Sequence, residues 1–244
     1  MGNLAFVDVC FTSTVIPRAL YGLLSGDTHI STHDCFLQLF LFLVVGNMDC
    51  LLLAIMALDR YFAVCFPLQY SLMMSKRTCI CLVTFSWIFA CLHCTYCTWL
   101  ASSQLLCGWV IQHFFCDYPV LIILSCSGLS VTMLTVDFIE NSIVTFSPVL
   151  LILASYVLII RAVLTLKSAQ GSIKTFTTCS SHLTMVILFY STVIFTYFRP
   201  SSMFSPTYDR AISVVFTIIN PTLNPFIYSL RNKEVKSCLK KILG

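Results

Sequence analysis

The sequence predicts an all-α, polytopic membrane protein built as a bundle of six transmembrane helices. Three observations carry this. Of the 244 residues, 58% are hydrophobic and only 10% charged, with a mean hydropathy of +0.91, whereas a soluble domain carries roughly 25% charged residues. The apolar residues fall into six runs of about 20 or more, the length a helix needs to cross roughly 30 Å of hydrocarbon. Those runs are continuous rather than alternating, which argues against a closed barrel.

The first run, near 3–24, carries an acid at Asp8. The second, near 35–58, begins at Cys35, contains Asp49 and leads into Asp59-Arg60-Tyr61. The third, near 78–100, belongs to a stretch from Thr78 to Leu106 without any Asp, Glu, Lys or Arg. The fourth, near 135–160, holds Asp137, Glu140 and Pro148, and the fifth lies near 176–198. The sixth, near 209–230, includes the uncharged Ala211–Leu230 and the segment Asn224-Pro225. Val235, Leu239 and Ile242, spaced four and three apart among lysines, give the tail 231–244 one apolar helical face. Such a helix lies on an anionic leaflet, or else the tail is simply solubilising. No internal repeat or linker divides the chain, so 1–244 reads as a single transmembrane domain.

Basic residues orient the bundle. All but Arg18, Arg199 and Arg210 of the 14 Lys and Arg flank the loops between spans two and three and between spans four and five, or follow span six. The positive-inside rule makes those loops and the C-terminus cytoplasmic, and Met1 with them. The long connection 102–132 is then outside, where disulfides persist. With Cys35, its Cys107, Cys116 and Cys126 make four outer cysteines, which allow three pairings that sequence alone leaves open. The other ten cysteines read as small apolar filler. Cys91-Leu92-His93-Cys94 has metal-like spacing but sits on one helix without a second ligand pair, so no metal is expected. A net charge of +4 is too small to indicate nucleic acid. The histidines His93, His113 and His182 have no nearby triad partners, so the chain is not expected to be an enzyme.

Several long motifs then resemble the odorant receptors, a branch of the rhodopsin-like G-protein-coupled receptors. They are Met56-Ala57-Leu58-Asp59-Arg60-Tyr61 with its continuation to Leu68, Ser155-Tyr156, Lys174 to His182, and Pro221 to Tyr228 followed by Ser229-Leu230-Arg231-Asn232. Asn3-Leu4, Phe6-Val7-Asp8 and His113 to Asp117 add to the likeness. Thr175 and Thr177 stand where the family usually has Ala and Ser. The chain begins inside the family's second helix, so the first helix and the outer glycosylation site are expected to be missing. Six of seven family helices would remain.

The resemblance implies a receptor for a small volatile ligand, bound between helices in the outer half, with a heterotrimeric G protein of the cAMP-raising type engaged inside. Its switch residues would be Asp59, Arg60, Tyr61, Tyr156, Asn224, Pro225 and Tyr228. Asp59 is expected to pair with Arg60 at rest, and activation would free the guanidinium, whose permanent charge and forked donors suit the task. The alternative is an arginine that merely snorkels to the headgroups. Asn224-Pro225 interrupts the helical ladder and makes a plausible hinge, whereas Pro148 fits either a hinge or a static kink.

Phe42, Leu43, Gly46 and Asn47 share one helical face and, by resemblance, face the ligand with Val144, Val193, Ile194 and Tyr197. Tyr190 lies deeper. Gly46 either leaves room for ligand or permits close helix contact. Glu140 either orients an amine or hydroxyl ligand or sits solvated at the membrane edge with Asp137. By resemblance Asp8, Asp49 and Asn224 meet at an inner polar site that holds sodium or a shared proton, against a plain hydrogen-bonded network. Resemblance also selects the disulfides Cys35–Cys116 and Cys107–Cys126. The expected location is the plasma membrane, in contact with lipid, with retention in the endoplasmic reticulum if the missing helix blocks export. A signalling-incompetent remnant is the nearer rival. A six-span transporter or channel is remote, because no repeated halves or polar pore lining are evident.

Overall fold

The computed structural model describes residues 2–108, 110–126, 131–165, 169–198 and 205–229. Its helices are α1 (Gly2–Ser25), α2 (Thr32–Cys65), α3 (Tyr70–Met73), α4 (Lys76–Ser102), α5 (Tyr118–Ile123), α6 (Val131–Thr165), α7 (Ala169–Tyr197), α8 (Pro206–Val214) and α9 (Asn220–Ser229). A π-helical turn, Val215–Ile219, joins α8 to α9. The fold is an all-α helical bundle. Five helices (α1, α2, α4, α6 and α7) are long and apolar enough to cross a membrane.

Local chemistry sets the ends. Gly26, at φ +72°, supplies the left-handed residue that closes α1, its N–H reaching Gly22 O at 3.1 Å. Ser31 caps α2: its hydroxyl accepts from Asp34 N at 3.0 Å and donates to the Asp34 carboxylate at 2.7 Å. Ser75 caps α4 by accepting from Thr78 N at 3.3 Å. At 34 residues α2 runs about 50 Å and outlasts the hydrocarbon, so Arg60 lies within the helix rather than at its end. The short α3 and α5 went unseen in the sequence because four and six residues carry no readable period.

The last apolar run is the one that departs from a plain helix. Pro221 has no N–H to donate and Pro225 follows four residues later. The chain widens into the π turn just before Pro221, with Asn220 N–H reaching back to Val215 O. Thr217 and Thr222 hydroxyls donate to Ser213 O and Ile218 O at 2.7 and 2.6 Å. Side chains thus take up carbonyls near the irregular stretch.

The α2 helix is the axis of the bundle, packing on α1, α4, α6 and α7. Leu39, Phe42, Met48, Leu53 and Ala57 are buried along it. Phe11 of α1 and Phe216 of the π turn meet at 5.2 Å between ring centroids, and Phe42 lies 5.1 Å from Phe11. By contrast, Phe85, Ile88, Leu92 and Trp99 of α4 and Ile143, Leu150, Leu153 and Ile160 of α6 are exposed. A helix that is apolar on its outer face as well as its inner one suits lipid as solvent.

Candidate ligand cavity and the polar clusters around it

A cavity of about 610 Å³ opens between α2, α4, α6 and α7, beneath α5. Phe42, Leu43, Gly46 and Asn47 line it from α2, Val144 from α6, and Val193 and Tyr197 from α7. The single helical face read on α2 is therefore the face that meets the void. A Cβ on Gly46 would meet only the Phe11 ring, at 3.6 Å, so no backbone approach requires glycine there.

Three residues expected at the ligand lie off the lining. Tyr190 is buried deeper, its hydroxyl donating to Cys50 O at 3.3 Å. Ile194 is 40% exposed, because it follows Val193 by one residue and so points about 100° around the helix. Glu140 reaches instead to His93 of α4, Oε1 to Nε2 at 3.3 Å. The lining also includes residues not expected at the ligand: His93, Cys94 and Cys97 of α4, Tyr118 of α5, Asp137, Asn141 and Thr145 of α6, and Phe216. The i, i+4 pairs His93/Cys97 and Asp137/Asn141 were the available signal, hidden because no apolar period marks them.

Helix α5 roofs this cavity, and the loop that leads into it from α4 is cross-linked on both sides. Disulfides join Cys35 to Cys116 and Cys107 to Cys126, with Cα separations of 5.4 and 4.8 Å. Backbone bonds Cys107 N to Leu124 O and Cys126 N to Leu105 O flank the second. Gln38 of α2 donates to Thr14 O of α1 at 2.9 Å and accepts from Cys116 N at 3.0 Å. Tyr197 donates to Asp117 at 3.0 Å, Tyr118 to Asp137 at 2.8 Å, and His113 meets Ser213 of α8 at 3.1 Å. The lid is therefore tied to α2, α6, α7 and α8, and Gln38 links its α2 anchor onward to α1. Burial pushes the Asp117 carboxyl up to about 6, against the hydrogen bonds from Tyr197 and Tyr118 that lower it. Burial likewise pushes His113 down to about 4, so it is neutral at pH 7.

Deeper in the bundle, Asn224 donates to Asp8 Oδ1 at 2.6 Å. Asp49 lies beside them across a space of about 10 Å³, near the minimum for one water or a small ion. Among the described residues, the buried Oδ1 of Asp49 has no hydrogen-bond partner. Asp8, Asp49 and Asn224, far apart in the chain, thus share one site.

At the far end from the disulfides, Asp59 accepts the Tyr70 hydroxyl at 2.7 Å, which pushes that phenol up to about 12. No Asp59–Arg60 ion pair forms among the described residues, since adjacent side chains on a helix diverge by about 100°. Tyr156 of α6 bonds His182 Nδ1 of α7 at 2.8 Å, and His182 Nε2 bonds Leu53 O of α2 at 3.0 Å. A carbonyl only accepts, so Nε2 carries the proton and Nδ1 accepts from tyrosine. His182 thus pins three helices, a role its motif did not reveal. Tyr61 is half-buried against Phe62 and Phe66. Pro225 is exposed inside α9. The Tyr228 side chain, the side chains of Lys174 to Thr178 and the tail expected to form an amphipathic helix lie outside the described residues.

A polytopic apolar bundle with a roofed cavity at one end and a polar network below it has the construction of a membrane receptor. The olfactory receptor family model matches residues 1–244, and the chain belongs to that family. It is 41% identical to human olfactory receptor 2K2 over 244 residues, covering 100% of this chain and 77% of the relative. Rat olfactory receptor 1f45 is 43% identical over 245 residues, at 100% and 78%. Human olfactory receptor 1C1 is 43% identical over 244 residues, at 100% and 77%. The protein is accordingly a multi-pass membrane receptor and not an enzyme.

Proposed function

We propose that this chain is an odorant receptor of one transmembrane domain at the plasma membrane, with Pro206–Ser229 as its sixth crossing. A small volatile ligand enters the roofed cavity, and a heterotrimeric G protein of the cAMP-raising type docks at the Arg60 end. The observation that carries the reading is the cavity itself: about 610 Å³, walled by Phe42, Leu43, Val144 and Val193, with Asn47 and Tyr197 as polar groups able to orient a ligand. A void of that size and chemistry suits a compact apolar molecule.

Tyr156, His182 and Leu53 O supply a resting latch between α6, α7 and α2. Outward displacement of α7 would break both bonds and free Tyr156 to meet Arg60, with the Asn224-Pro225 segment and its π turn as the hinge. Asp8, Asp49 and Asn224 hold a proton or a sodium ion beneath the cavity, and its loss would accompany the change.

The test is expression of the full chain with its G protein in cells, a panel of volatiles and a cAMP readout, with surface receptor quantified in parallel. A saturable response is expected, lost in Arg60→Ala and shifted in potency by Val144→Trp, which fills the void. A chain at the surface that gives no response and retains no volatile in direct binding would end the proposal.

A further inference from the structure

We propose that His93, Cys97 and Glu140 bind a divalent transition-metal ion, Zn²⁺ in the first instance, clipping α4 to α6 in the wall of the cavity. One donor atom from each residue lies within 4.8 Å of the other two. The Nε2 of His93 is 3.3 Å from Glu140 Oε1 and 3.6 Å from Cys97 Sγ. Tetrahedral zinc, with Zn–N and Zn–O near 2.0–2.1 Å and Zn–S near 2.3 Å, has N···O edges of about 3.3 Å and N···S edges of about 3.6 Å. Both edges fit, and the third, between Cys97 Sγ and the Glu140 carboxylate, lies within 4.8 Å and must shorten on binding.

Burial and charge point the same way. The His93 side chain is 7% exposed and that of Glu140 33%, and among the described residues the buried Glu140 Oε2 has no hydrogen-bond partner. On binding, the Cys97 thiol gives its proton to water and its sulfur lone pair to the metal, so one thiolate and one carboxylate balance the 2+ charge. A neutral site is what a membrane interior tolerates. Spacing by four places His93 and Cys97 on one face of α4, while Glu140 arrives from α6, which a search along one helix for a second ligand pair does not find. His93 and Cys97 both line the cavity, so the fourth coordination position opens toward it and takes water or a small lone-pair donor. The inference needs only the α4–α6 geometry and is independent of the odorant reading.

The experiment is titration of the full chain, chelator-stripped and in lipid nanodiscs, with Co²⁺ and then Zn²⁺. Roughly one equivalent of Co²⁺ is expected to give thiolate charge-transfer and tetrahedral ligand-field bands that Zn²⁺ abolishes. Cys97→Ser should remove the charge-transfer band. Glu140→Gln should weaken binding by more than the roughly 10–100-fold typical of losing an outer-shell partner. Cys91→Ser, on the same helix but outside the cluster, should change neither. Because Cys97 is buried and its variant could misfold, Glu140→Gln is the decisive arm, with its folding checked by melting without metal. Absence of saturable uptake, or wild-type binding in folded Glu140→Gln, would leave only a hydrogen-bonded pair and overturn the site.

Discussion

At the scale of residues, two buried titratable groups under the lid oppose each other. Asp117 is pushed up to about 6 from 3.8, so the folded state holds its proton more tightly than the unfolded one. Its contribution is present below pH 3.8 and lost as pH rises through 6, roughly 3 kcal/mol in all. His113 is pushed down to about 4 from 6.5, so its contribution is present above pH 6.5 and lost as pH falls through 4. Over the shared window the two slopes cancel in part. Relative to wild type, Asp117→Asn should therefore gain in melting temperature by several degrees between pH 4 and 7. His113→Gln should show the reverse trend, gaining as pH falls from 7 to 4. Parallel melting curves for either variant and wild type would show that the lid does not bury these groups.

Gly46 yields a second residue-scale expectation. Because an added Cβ meets only the Phe11 ring at 3.6 Å, Gly46→Ala should not destabilise the bundle. Alanine should instead gain up to about 1 kcal/mol in a helix interior. A melting point several degrees below wild type would restore the close-packing explanation that sequence left open.

At the scale of elements, the lid and the latch each make a commitment. Cys35–Cys116 spans 81 residues and Cys107–Cys126 spans 19. In the chain-entropy account these closures are worth about 4.5 and about 3 kcal/mol. Replacing the first pair by serine should lower the melting temperature more than replacing the second, and the opposite order would show that strain or residual structure dominates. In the latch, His182→Leu removes the 2.8 Å bond to the Tyr156 hydroxyl and the 3.0 Å bond to Leu53 O. Basal cAMP should rise at equal surface expression. Unchanged basal signalling would make His182 a packing residue.

These elements also show what the sequence could say. Apolar run length marks long helices because hydrocarbon thickness fixes a minimum, and five of the six runs coincide with such helices, but capping extends them past the run. Thus α2 runs from Thr32 under its Ser31 cap to Cys65, beyond the 35–58 that hydropathy marks. The face Phe42, Leu43, Gly46 and Asn47 was legible because one helix period carries it. The Glu140–His93 and Asp59–Tyr70 contacts were not, because each depends on how separate segments meet. The π turn was also invisible: Pro225 advertised a hinge, while the widening sits ahead of Pro221.

At the scale of the whole molecule, polarity of the two ends decides the functional reading. Arg18 and Arg210 line a second space beside Cys35 and Cys116 at the disulfide end. Arg60 sits instead at the end marked by the Asp59–Tyr70 bond, and Lys76 and Arg77 open α4 just after α3. Lys and Arg thus outnumber their counterparts on the α3 side, which the positive-inside rule sets in the cytoplasm. An epitope inserted after the exposed Ser103 should label intact cells, and one inserted after Leu68, 97% exposed in the α2–α3 loop, should label only permeabilised cells. The reverse pattern would put the cavity inside and Arg60 outside. It would also place both disulfides in a reducing compartment, where they do not persist. Neither a volatile arriving from outside nor a G protein could then reach its site, so this labelling tests the receptor reading before any ligand is known.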